Sequence, residues 1–161
     1  MIQFQCDYNE GAHPQIMQRL AETNMEQTIG YGEDKYCEEA RELIRKACDN
    51  SEIDVHFLVG GTQTNTTVIA HTLRPDQGVI SAKSGHINVH ETGAIEATGH
   101  KIITVEGIDG KITPEDIESV VLSHTDEHMV APRLVYITQA TEIGTLYNKC
   151  ELIEIHNMCK K

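Results

Sequence analysis

Two short segments of this chain place chemically useful residue types at close spacing. The first runs Val59-Gly60-Gly61-Thr62-Gln63-Thr64-Asn65, between an apolar run and an amphipathic stretch. Paired glycines let a backbone turn tightly and come close to a ligand, and the first turn of a helix offers partnerless N–H groups to an anion. Thr62 and Thr64 add hydroxyl donors. No Gly-Lys-Ser/Thr follows, and the spacing is not G-x-G-x-x-G, so a lone phosphate monoester suits the turn better than a nucleotide diphosphate. The same residues would also make a plain glycine turn closed by a Thr/Asn helix cap.

The second segment is Ser84-Gly85-His86-Ile87-Asn88-Val89-His90-Glu91-Thr92-Gly93-Ala94, just past another apolar run. Ligands of open α/β sheets bind at the carboxyl ends of the strands, so His86 and the Gly60–Asn65 turn would share that end on neighbouring strands. A flat imidazole there can stack on an aromatic cofactor ring. The plainer alternative is that His86, one of nine histidines, simply begins a helix.

Metal chemistry has weaker claims. His124-Thr125-Asp126-Glu127-His128 fits H-x-x-E-H, which on a continuous helix would make a zinc hydrolase with Glu127 as base. Here a helical pattern is ending and Pro132 follows, so a polar helix-end loop is expected instead. His86 and His90, with Glu91 adjacent, make a similar but thinner case. The five cysteines (Cys6, Cys37, Cys48, Cys150, Cys159) are odd in number and contain no C-x-x-C pair. Reduced thiols in a cytosolic protein are expected, with no metal site.

These segments need a scaffold, and the apolar runs supply one. Val55–Val59, Val79–Ala82, Lys101–Val105 and Leu134–Thr138 are rich in β-branched residues. Their starts lie about 24, 22 and 33 residues apart, long enough for helical crossovers and too long for hairpins. Parallel strands with right-handed crossovers follow. Between them, Thr64–Leu73 would bury Val68, Ile69 and Leu73, while Ile117, Val120 and Val121 form a second apolar stripe. That second helix has a start signal: Thr113 as cap, Pro114 in the first turn, then Glu115 and Asp116. A final helix from about Cys150 would turn Leu152, Ile153, His156 and Cys159 to one side. Ahead of the sheet, Pro14–Asn24 and Cys37–Asp49 read as helices, the latter with Ala40, Leu43, Ile44 and Ala47 in register. The Gly-rich loop Thr28-Ile29-Gly30-Tyr31-Gly32-Glu33-Asp34 lies between them.

Composition narrows the function classes. At 161 residues the chain is long enough for one domain with a real core, and its formal charge of −12 disfavours nucleic-acid binding. No uncharged apolar stretch approaches the roughly 20 residues of a spanning helix, so no membrane insertion is expected. The N-terminus shows no secretory signal, and a cytoplasmic location is expected.

Taken together, several segments resemble the low-specificity threonine aldolases and related β-eliminating lyases. They are Asp7-Tyr8-Asn9-Glu10-Gly11-Ala12-His13-Pro14, Tyr31-Gly32-Glu33-Asp34, the run from Phe57 to Gly99, Asp109-Gly110-Lys111-Ile112-Thr113-Pro114-Glu115 and Val135-Tyr136-Ile137-Thr138-Gln139, in the family's order. The resemblance implies a pyridoxal 5'-phosphate enzyme of the aspartate-aminotransferase fold type, with a three-layer αβα large domain and a mostly parallel sheet. It implies an amino-acid substrate and cleavage of a β-hydroxy-α-amino acid, such as threonine, to glycine and an aldehyde. Gly61, Thr62 and Gln63 match the turn that holds the cofactor phosphate, and His86 matches the histidine that stacks on the ring. Glu91 matches a family glutamate near that histidine.

Departures from the family pattern shape the remaining expectations. Thr141 stands about where some relatives carry a second active-site histidine, and Cys6 replaces a common serine. The family's Schiff-base lysine and its Asp-Gly-Ala-Arg motif have no counterpart, so no catalytic residue is assigned. None of the eight lysines matches the position, and Lys83, nearest in sequence to His86, reads as an ordinary strand-end lysine. The expected organisation is a helical arm over residues 1–50 and the first half of the cofactor domain over 51–161, cut after about four strands. Such a fragment would be inactive without a complementary C-terminal half and prone to homo-oligomerise. The alternative is a non-catalytic remnant that binds phosphate compounds.

Overall fold

A computed structural model describes residues 2–3, 5–6 and 8–161, so Asp7 of the N-terminal motif lies outside the described residues. The chain divides into two compact units, Met1–Phe57 and Leu58–Lys161.

The first unit is two helices held by polar clamps. Helix α1 (Pro14–Thr23) starts with proline in its first turn, and the His13 ring accepts the Gln15 N–H. Helix α2 (Lys35–Ala47) starts at Asp34, whose carboxylate accepts from Tyr36 and Cys37. Arg41 of α2 donates to the carbonyls of Gly32 and Val55, and Arg45 donates to that of Ile53. Neither helix buries a residue. The apolar register foreseen on α2 is real, but Leu43 is 67% exposed. Among the described residues of this unit, no second apolar face covers it.

The second unit is a parallel sheet with helices on both faces. Strands β1 (Gln77–Ala82), β2 (Lys101–Val105) and β3 (Ala131–Tyr136) lie in the order β2-β1-β3. Val79 pairs with Ile102 on one side and Leu134 on the other, in parallel register. The register shifts between Gly78 and Val79, leaving Arg133 as a bulge beside Pro132, which has no N–H to give a ladder.

Alternation along β1 sends its side chains to two separate cores. Ile80 and Ala82 join Ile103, Ile112, Tyr147 and residues of α5 (Pro114–Ser123) and α6 (Lys149–Cys159). Val79 joins Ile87, Ile95, Ile69 and Leu73, the last two from α3 (Gly61–Thr72) and its C-cap. Both faces of the central strand are therefore filled, as expected where helices cover both sides of a parallel sheet. Thr113 and Asp116 form a reciprocal capping box at the start of α5, as the sequence indicates.

Three expectations need correction. The run 55–59 is no strand, so among the described residues the sheet has three strands rather than about four. A strand exists only through a partner: the Val55 carbonyl is taken by Arg41, the Val59 N–H by the Gln63 side chain, and Val59 is 96% exposed. On α6 the buried side is Ile155 and Met158, not the Leu152, Ile153, His156 and Cys159 side. On α3 and α5, Val68 and Val121 face outward while their neighbours Ile69 and Val120 go in. Among the described residues, no helix is long and apolar enough to cross a membrane.

Candidate functional site

Gly60 caps α3 in an extended conformation, with no side chain closing the helix end. The first intrahelical bond runs from Thr64 N–H to the Gly60 carbonyl. Among the described residues, the N–H groups of Gly61, Thr62 and Gln63 consequently have no acceptor. Helices α2, α5 and α6 differ, since Asp34, Thr113 and Asn148 fill the same place. A Cβ added at Gly60 or Gly61 would meet nothing within 4 Å, so the approach to these amides is open. The end of α3 is a ready anion site.

Side chains around this turn divide their roles. Gln63 folds back to accept the Val59 N–H at 2.9 Å, which fixes the chain entering the helix. Thr64 donates its hydroxyl back to the Gly60 carbonyl at 2.9 Å, so it is not the ligand donor its position suggests. The exposed Thr62 hydroxyl has no partner among the described residues.

His86 opens a short helix, α4 (His86–Val89), immediately after β1. Gly85 is required there by space rather than by φ: a Cβ would collide with the Ser81 hydroxyl and come within 3.0 Å of the Ala82 carbonyl. The His86 Nδ1 lies 2.8 Å from Glu91 Oε1, and the same oxygen accepts from Asn65 Nδ2 at 2.6 Å. The Glu91 side chain is fully buried, whereas 39% of the His86 side chain stays exposed. Tyr136, at the end of β3, places its hydroxyl 3.4 Å from Asn65 Nδ2. Burial, and then the nearby Glu91 charge, push the Tyr136 phenol above its ordinary pKa. The second Glu91 oxygen, Oε2, is buried and has no hydrogen-bond partner among the described residues.

Asn65 ties the two halves of the site together. It stands four residues past Gly61, about 6 Å along the helix axis. The open end of α3 and His86 are thus joined through one carboxylate. Sequence reading placed Gly61, Thr62, Gln63, His86 and Glu91 in this region but missed Asn65 and Tyr136. The asparagine was visible only as part of a helix start, and nothing local marks Tyr136.

The remaining candidates fall elsewhere. Thr141 is 6% exposed, and its hydroxyl is turned into its own loop, 2.7 Å from that of Thr145. Lys83 pairs with Glu106 at 2.8 Å on the surface, a contact that raises its pKa. Helix α5 ends at Ser123, so His124, Glu127 and His128 do not share a helical face. His124 Nδ1 is 2.8 Å from the Val120 carbonyl, and the donor atoms of Asp126, Glu127 and His128 gather in an exposed loop. The zinc-hydrolase reading fails with that break in the helix.

Residues 3–161 match the beta-eliminating lyase family. The chain belongs to that family. Among its relatives are the low specificity L-threonine aldolases of Pseudomonas aeruginosa (strain PAO1) and Pseudomonas sp. (strain NCIMB 10558), each 32% identical over 99% of this chain. The beta-eliminating lyase chain described here spans 46% of the length of either relative. A solved threonine aldolase structure from Leishmania major superposes with a TM-score of 0.94 at 49% identity, covering 96% of this chain and 45% of that one. The parallel sheet with helices on both faces is thus the fold of this beta-eliminating lyase family member.

Proposed function

We propose that this chain provides the phosphate- and ring-holding half of a pyridoxal-phosphate-dependent threonine aldolase. The observation that carries the reading is the open N-terminus of α3, linked through Asn65 and Glu91 to His86. The residues fit such a group. Gly61, Thr62 and Gln63 offer unpaired amides and the Thr62 hydroxyl to a phosphate, and His86 keeps part of its ring exposed for a flat aromatic ring. When bound, the cofactor supplies the electron sink that lets a Cα–Cβ bond break. The chain's own part is to neutralise the phosphate with helix-end amides and to orient the ring.

Threonine and related β-hydroxy-α-amino acids are the substrate class, by likeness to the Pseudomonas aldolases. In this reading a complementary C-terminal half or a second copy is the partner that would complete the site. Titration with pyridoxamine 5'-phosphate, followed by cofactor fluorescence, tests the reading. Saturable binding that is lost with unphosphorylated pyridoxamine supports it, and equal binding of the two compounds overturns the phosphate assignment. Aldolase activity appearing only on addition of residues homologous to the second half of the relatives would complete the case.

A further inference from the structure

The environment of Glu91 is unusual for a carboxylate. Its side chain has no solvent exposure, one oxygen has two partners, and the other has none among the described residues. Leaving a buried acceptor unmatched costs about 1–3 kcal/mol, a cost that Oε2 imposes on the fold. The two contacts that Glu91 does make come from different elements. Asn65 reaches it from α3, and Asn65 is itself close to Tyr136 at the end of β3. His86 reaches it from α4, five residues earlier in the chain. Apart from His86 itself, Asn65 is the described partner that holds this carboxylate, so its position is set from α3 as well as from the imidazole.

An ionised carboxylate only accepts hydrogen bonds. Toward an ionised Glu91, Asn65 presents its amide nitrogen and a neutral His86 carries its proton on Nδ1. Free imidazole has no such constraint. The Nε2 edge of His86 then has no proton and, among the described residues, no hydrogen-bond partner.

We infer that Asn65 and Glu91 are positioning residues that lock His86 as the Nδ1–H tautomer in one ring orientation. Resting on the cofactor reading above, this role holds a neutral, fixed ring ready for an electron-poor aromatic partner. The tautomer itself is a property of the chain alone and can be measured without any ligand.

The test is ¹⁵N NMR of the full chain labelled at histidine, at about pH 8, above the ordinary histidine pKa. His86 is assigned by comparison with His86→Gln. The inference expects the wild-type ring to show a protonated Nδ1 and a bare Nε2. In Glu91→Gln, whose amide can accept or donate, the Nε2–H form should gain a substantial share. Asn65→Leu should produce a smaller change in the same direction, with circular dichroism checking that each variant is folded. A wild-type His86 that is mainly Nε2–H overturns the inference, even if every variant misfolds. So does a folded Glu91→Gln that keeps the wild-type tautomer. Pyridoxamine 5'-phosphate binding, measured in parallel, separates the two readings. An Nδ1–H ring in a chain that does not bind the compound sinks the cofactor proposal while the lock stands.

Discussion

The hydroxyl of Tyr147 accepts the backbone N–H of Ile112 at 2.6 Å, with both residues at most 4% exposed. This contact fastens the segment leading into α6 to the one leading into α5. Tyr147→Phe keeps the ring in the core but leaves the Ile112 N–H without an acceptor. A loss of about 1–3 kcal/mol is expected, read as a lower urea midpoint at neutral pH. An unchanged midpoint would mean that water or a local shift replaces the hydroxyl.

Alkaline pH should weaken the fold through two phenols. Burial is the leading cause that raises the pKa of both Tyr136 and Tyr147 from the ordinary value of 10.0. The folded chain therefore holds these protons more tightly than the unfolded chain does. Their contribution is complete below the ordinary tyrosine pKa and is lost as pH rises through it towards the raised values. Urea midpoints measured between about pH 8 and pH 11 should fall, and Tyr147→Phe should flatten the slope.

Gly61→Leu separates binding from stability. A Cβ there touches nothing in the chain, and leucine is a better helix former than glycine, so thermal stability should hold or rise slightly. The added side chain would stand over the open amides, and binding of pyridoxamine 5'-phosphate should weaken severalfold. Unaltered affinity would remove Gly61 from the site.

Lys83 should resist capture by pyridoxal phosphate. Its pairing with Glu106 favours the protonated amine, which is not a nucleophile. Incubation with pyridoxal phosphate and borohydride, followed by peptide mass spectrometry, should reveal no stoichiometric label at any one lysine. Full labelling at Lys83 would show that the chain has its own attachment point.

Much of this architecture is written locally. Val79–Ala82 and Lys101–Val105 are strands because β-branched residues suit a packed, pleated surface, the Leu134–Thr138 run instead starts three residues earlier and stops at Tyr136, and the Thr113-Pro114 signal marks a helix start. What escapes the sequence depends on partners. Val55–Val59 has the composition of a strand and no ladder to join. On α6, the Leu152/Ile153 face and the Ile155/Met158 face are equally apolar, and only the neighbouring elements decide which is buried. The site divides in the same way. His86 and Glu91 lie five residues apart and could be associated by eye. Asn65 is 26 residues from Glu91 and 71 from Tyr136, so only the fold brings them together.

The bare start of α3 also has a consequence for anyone trying to improve this protein. Gly60 is extended, with open space where a side chain would go, so serine or aspartate would fit without strain. Either would cap the helix and raise stability by a few tenths of a kcal/mol. A screen for heat resistance would therefore reward Gly60→Asp, while the new carboxylate occupied the place of the anion and repelled it. On the proposed phosphate reading, that stabilising change would act as a self-made competitive inhibitor, and selection for robustness alone would lead the chain away from the proposed ligand.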